Sequence, residues 1–178
     1  EKRSSIRQET IQVKKLREVH LGSHIRMIFE NKQTVQYQIQ EMLRIEKIFE
    51  SSEIQDELDV YNALVPNGSN LKATMMIEYP DVAERVEALS RLIGVEKSIY
   101  FQVDGHDKVF PICNEDLERE TDVKTSAVHF MRFEFDQNMI ADFVSGSDVK
   151  VGSAHPNYDY ETSLDSQSQE ALSEDFNS

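Results

Sequence analysis

Residues Lys124–Phe135 set the strongest constraint on the fold. Ala127, His129, Met131, Phe133 and Phe135 alternate onto one face of a strand, and Ser126, Val128, Phe130, Arg132 and Glu134 onto the other. Apolar and aromatic side chains on both faces describe a central strand covered on both sides. A chain built round such a strand needs a sheet with a further layer on each face, which points to an α+β domain.

The remaining periodicities supply those layers. Residues 2–14 read as a short helix with Ile6, Thr10 and Val13 at helical spacing. Val19–Phe29 reads as extended, and Gly22-Ser23 interrupts it, giving two short strands or one bulged strand. Lys32–Glu50 holds no Gly or Pro, has Asn31 as its cap and is expected to form one long helix across a sheet face. Ser52-x-x-Gln55 opens a second helix, which Pro66-Asn67-Gly68-Ser69-Asn70 must end. Leu71–Tyr79 is a strand with Leu71, Ala73, Met75, Ile77 and Tyr79 on one face. The next helix starts at Pro80-Asp81 and stops at Gly94, with Val82, Val86, Leu89 and Ile93 as its expected core stripe. Ser98–Val103 and Lys108–Ile112 flank the turn dipeptide Asp104-Gly105. A short helix over Asp136–Val144 and a last strand over Asp148–Val151 follow. The architecture expected is a mostly antiparallel sheet of five or six strands with helices packed on it. One domain spans residues 1–151, and residues 152–178 form an acidic, loosely ordered tail rich in Ser, Asp and Glu.

Charge narrows the function. The 178 residues carry 33 acids against 19 Lys and Arg, a net charge of −14, so broad nucleic-acid binding is not expected. The imbalance is uneven: residues 1–20 hold six Lys or Arg against three acids, whereas residues 151–178 hold six acids and no Lys or Arg. No run of apolar residues is long enough for a membrane span, and Glu1-Lys2-Arg3-Ser4-Ser5 is not followed by an apolar signal region. The single cysteine, Cys113, excludes a disulfide framework. The cytoplasm is the expected compartment.

The informative residues are polar ones at positions the pattern makes apolar. On a helical wheel, Val35, Ile39, Met42, Leu43, Ile45 and Phe49 fill one arc, and Glu46 falls roughly 20° from its centre. A carboxylate there needs a partner, a proton or a metal. His129 poses the same problem between Ala127 and Met131. If helix and strand pack together, Glu46 and His129 meet, as a structural hydrogen bond or as part of a ligand or metal site. His106, beside the Asp104-Gly105 turn, is a third candidate metal ligand. A second set lies on the other strand faces: Lys72 and Glu78 on one strand, and Lys124, Arg132 and Glu134 on another. These residues make either cross-strand ion pairs or a polar pocket for a small anion. Gln40 and Arg44, from the polar side of the long helix, are added to that candidate set.

Other motifs carry little. His20 and His24 have helical ligand spacing, but Gly22 between them makes the stretch extended, where they stand about 13 Å apart. There is no Glu-x-x-His pair, nucleotide-binding glycine loop or Gly-x-Ser-x-Gly, and Cys113 has no base near it in sequence. No cofactor or oligomeric state is indicated.

Four stretches carry a resemblance: Tyr37–Phe49 (YQIQEMLRIEKIF), Pro66–Pro80 (PNGSNLKATMMIEYP), Val103–Val109 (VDGHDKV) and Asp116–Glu134 (DLERETDVKTSAVHFMRFE). Together they resemble the bacterial domain of unknown function 3501 over about residues 10–160. The resemblance brings no activity and no catalytic residues. It implies an accessory role beside a rubrerythrin-like protein or an iron–sulfur oxidoreductase, by association only. The Ser/Asp-rich ending departs from the pattern and takes no function from it. Two readings stand: a non-enzymatic accessory protein docking on a redox partner, or a protein that binds metal or a small anion, with an enzyme among the latter.

Overall fold

The structure, a computed structural model, describes residues 2–177. Helix α1 (Lys2–Leu16) leads into a hairpin of β1 (Glu18–Leu21) and β2 (Ile25–Glu30). Helices α2 (Lys32–Glu46) and α3 (Ser51–Asn62) precede β3 (Asn70–Ile77). Then come α4 (Val82–Arg91), a 3-10 turn at Val95–Ser98, β4 (Ile99–Val103), β5 (Ile112–Cys113) and β6 (Val128–Glu134). The chain ends with α5 (Gln137–Ser145), β7 (Val149–His155), β8 (Tyr158–Ser163), α6 (Ser166–Ser173) and a 3-10 turn at Glu174–Asn177.

The strands form two sheets rather than one. The larger has the order β1-β2-β3-β6-β5 and the smaller β4-β7-β8, and every pairing is antiparallel. The core lies between them. Leu21, Met27, Phe29, Leu71, Met75 and Phe133 bury the inner face of the larger sheet; Ile99, Phe101, Val103, Val149 and Val151 do so for the smaller. Phe101 from the smaller sheet sets its ring edge-on against Phe29 and Phe133 of the larger, with centroids 5.4 and 4.9 Å away. Strand β6 is second from an edge, and its inner side chains are those expected of one face of Lys124–Phe135.

Tyr158 fastens the smaller sheet to the β1–β2 turn. Its hydroxyl accepts from the N–H groups of His24 and Ile25 and donates to the carbonyl of Leu21. Gly22 makes room for it: its φ is +63°, and a Cβ there would stand 2.6 Å from the Tyr158 hydroxyl oxygen.

Several expectations need correction. The long helix 32–50 stops at Glu46, because Lys47 turns into the left-handed region (φ 54°) and its N–H returns to Leu43. Phe49, expected on the apolar arc, is 80% exposed. The first half of the α4 stripe also fails. Val82 and Val86 face solvent at 62% and 63% exposure, whereas Leu89 packs against the core beside the buried Ala88 and Leu92, and Ile93 is half-buried. Two apolar arcs compete on this short helix, and its amphipathic pattern does not say which one meets the sheet. After the Asp104-Gly105 turn only Val109 pairs back, to Phe101, and Ile112-Cys113 crosses to β6.

The ending read as a loose tail forms β8, most of β7 and α6. Tyr158, Leu164 and Leu172 are buried in the core, and Gln169 donates to the carbonyls of Phe143 and Ser147. Its large apolar residues are few, but Tyr158, Leu164 and Leu172 are spent on inward positions, with Phe176 packed beside them and Tyr160 left exposed. Among the described residues no helix is long and apolar enough to cross a membrane.

Candidate functional site

The outer face of the larger sheet is the polar one, and α2 and α3 cover it. Asn31 caps α2 by accepting from Thr34 N–H, and the Thr34 hydroxyl reaches Glu30 at the end of β2. Glu30 also accepts from Thr74 on β3, 3.1 Å away, which pins α2 to the sheet. Helix α3 is held differently: none of its residues is fully buried. Beneath it lies a cleft of about 350 Å³. Val60, Tyr61 and Leu64 form its roof, Phe130 and Lys72 its floor, and Glu115 and Asp116 stand at its edge.

The charges in this cleft are unequally engaged. Lys72 and Arg132 are register partners on β3 and β6. Arg132 makes a two-pronged contact with Glu115 at 3.1 and 2.7 Å and a third bond to Glu134 at 2.5 Å. These carboxylates raise the Arg132 pKa, and Arg132 in turn lowers that of Glu115. Glu134 also accepts from Asn70 at 2.9 Å. Lys72 donates to the Ala63 carbonyl at 2.6 Å, and among the described residues no carboxylate stands within ion-pairing distance of it. Burial pushes its pKa down, and Arg132 adds to the effect.

The structure thus gathers Lys72, Arg132 and Glu134 and scatters the other candidates. Glu78 lies at the far end of β3 and pairs with Arg26 at 2.7 Å. Lys124 is exposed on the loop before β6, lining a separate hollow with Thr121 and Thr125. Gln40 borders a groove on the opposite side of α3 with Leu58 and Val65. Arg44 joins Arg3 on Glu41, whose pKa they hold down to about 2.

Glu46 and His129 do not meet. Glu46 is exposed at the last turn of a helix on the outer face, whereas His129 points inward from β6 with 0% exposure. A wheel places Glu46 on the apolar arc, but the helix has left the sheet by that turn. His106 bonds Asp142 at 2.6 Å, far along the chain from either. Among the described residues no group of three or more His, Cys, Asp or Glu side chains is arranged to hold a metal ion.

His129 has its own environment, which sequence gave no sign of. Its Nε2 lies 2.9 Å from the Ser126 carbonyl and its Nδ1 2.9 Å from the Asn114 amide nitrogen. A neutral ring donating through Nε2 and accepting at Nδ1 satisfies both, and burial lowers its pKa accordingly. Beside it, Glu96 is 1% exposed, with an oxygen 4.0 Å from Nδ1. The Glu96 pKa is raised, by burial first, and among the described residues neither of its carboxyl oxygens has a hydrogen-bond partner. Glu120 is ionised by Lys97 at 2.7 Å and by the Gly94 N–H at 3.1 Å. Cys113 is packed against this group, and burial pushes its thiol up to about 12, which makes it inert as a nucleophile at neutral pH.

This cluster carries a stability prediction. A group whose folded pKa is raised contributes stability below its unfolded value and loses it as pH rises through the folded one. Glu96 therefore costs stability on the alkaline side. Glu96→Gln should match the parent near pH 4.5 and exceed it by about 1 kcal/mol or more at pH 8. Denaturant unfolding at the two pH values checks this, and a gap that does not widen with pH refutes it. His129 acts in the opposite sense: its lowered pKa removes stability as pH falls below about 6.5.

A family model described as "Protein of unknown function (DUF3501)" matches residues 1–176. The match takes in the ending that was expected to lie outside the resemblance. A crystal structure of a novel protein of unknown function from Burkholderia pseudomallei K96243 is similar over 97% of this chain and 90% of that one, at 45% identity and a TM-score of 0.92. No curated protein matches the chain.

Proposed function

The chain belongs to the DUF3501 family of proteins of unknown function, and on that premise we propose that it is a small-molecule-binding protein whose ligand occupies the cleft beneath α3. One observation carries this reading. An amphipathic helix normally buries its apolar side, yet α3 buries no residue fully: its Tyr61, with Leu64 just past its end, stands over an unfilled space that Val60 borders at the mouth. A ligand with an apolar body would complete that layer. The sheet supplies a rigid floor, and the cations and carboxylates of β3 and β6 supply the polar contacts.

The accessory role beside a rubrerythrin-like or iron–sulfur partner is the context such a module would work in. Its support is the resemblance alone. Binding in the cleft needs no chemical step, and the residues lining it do not form a nucleophile–base pair.

Octanoate is a suitable probe. NMR titration should perturb the Tyr61 and Phe130 ring signals with a Kd of about 1 mM or tighter. Val60→Trp, an exposed position at the mouth, should fill the opening and weaken binding about tenfold while the protein stays folded. Perturbations spread evenly over the surface, or unaffected by Val60→Trp, would remove the cleft from consideration.

A further inference from the structure

We propose that the cleft selects monoanionic carboxylates with an apolar body, and that Lys72 is the residue that reads the head group. This rests on the reading of the cleft as a small-molecule site and adds the chemical class of its ligand.

Four charged side chains line the cleft: Lys72, Arg132, Glu115 and Asp116. Arg132 is committed to Glu115 and Glu134 through three bonds. Asp116 is committed to Arg119 at 2.5 Å. Among the described residues Lys72 alone of the four is in no ion pair: its register partner Glu30 on β2 gives its carboxylate to Thr34 and Thr74, Glu115 and Glu134 are engaged by Arg132, and Lys72 gives one N–H to a backbone carbonyl out of the three an ammonium carries. It is partly desolvated and stands in register with a second cation. An incoming carboxylate would supply the missing counter-charge.

The other head groups fit less well. A phosphate dianion brings a second negative charge toward Glu115 and Asp116. An ammonium would approach Lys72 and Arg132. A neutral alcohol leaves Lys72 without a counter-ion. The apolar body in each case would lie between Phe130 below and Val60 and Leu64 above.

Octanoate, octyl phosphate, octanol and octylamine, titrated in parallel by NMR, test the choice. Octanoate should bind at least about tenfold more tightly than octanol, with octyl phosphate and octylamine weaker than octanoate. Lys72→Met should bring octanoate down to the octanol value and leave octanol unchanged, and Lys72→Arg should keep the preference. The head-group comparison uses the unaltered protein, so it holds even if a variant misfolds. If octanol or octyl phosphate matches octanoate in the cleft, the carboxylate assignment fails while the small-molecule reading survives. If none of the four perturbs Tyr61 or Phe130, the reading of the cleft fails and the assignment with it.

Discussion

Asp175→Ala should destabilise the protein by about 3–5 kcal/mol, the largest effect expected of a polar substitution here. Its partner Arg17 is 2% exposed, and the guanidinium reaches four acceptors. Nε donates to the Phe29 carbonyl at 2.7 Å, one terminal nitrogen to that of Ala171 at 3.0 Å, and the other to Glu30 O and the Asp175 carboxylate. The pair thereby joins the β1–β2 region to the last turn of the chain. Burial pushes the Asp175 carboxyl up to about 6 even with Arg17 against it, so desolvation is a heavy cost of the arrangement. Removing the Asp175 carboxylate leaves the Arg17 charge buried with backbone carbonyls but no counter-charge. Replacing both should be far milder, and Arg17→Met with Asp175→Leu should lose less than Asp175→Ala alone. Urea unfolding of the two variants beside the parent checks the order. A single variant within 1 kcal/mol of the parent would show that the chain's end is not held by this contact.

Phe101→Ala should cost about 3–5 kcal/mol and lower Tm by about 10 °C. Phe101 is fully buried on the smaller sheet and touches Phe29, Phe133 and Phe135, the last with centroids 5.8 Å apart. Its loss opens a cavity at the contact between the two sheets, where neither can move inward without breaking its own ladder. Phe101→Leu should recover more than half of the loss. If Phe101→Ala unfolds with the parent's midpoint, the sheets are not held together at this point. Thermal unfolding followed by circular dichroism is sufficient to decide. The cleft lies on the opposite face of the larger sheet, so octanoate binding should survive below the lowered Tm.

The resemblance in the sequence reached further than its motifs did. Four strings pointed to the family that matches residues 1–176, although the ending was expected to lie outside it. The α+β class also followed from sequence, because periods of 2 and 3.6 are local properties of a chain. The inner faces of β3 and β6 were legible for the same reason, from Leu71 to Ile77 and from His129 to Phe135.

The candidate site was legible only as residue types. Lys72 and Arg132 could be named as unusual, but nothing local says they are register partners or that Glu115 and Glu134 would claim one of them. Glu96 and Asn114 escaped notice because each looks like an ordinary loop residue until folding places it beside His129.

Sequence by itself determined the secondary-structure alphabet, the inner face of β6, the net acidity and the family. Tertiary structure decided that there are two sheets, that the ending supplies Tyr158, Leu164 and Leu172 to the core, and which face of α4 is buried. It also decided that Glu46 and His129 lie on opposite sides of the larger sheet. The physical reason is that a strand or helix fixes only its own two faces. Which partner covers each face, and which charge is left without a counter-charge, depends on contacts such as Arg17 with Asp175, between residues that are far apart in the chain.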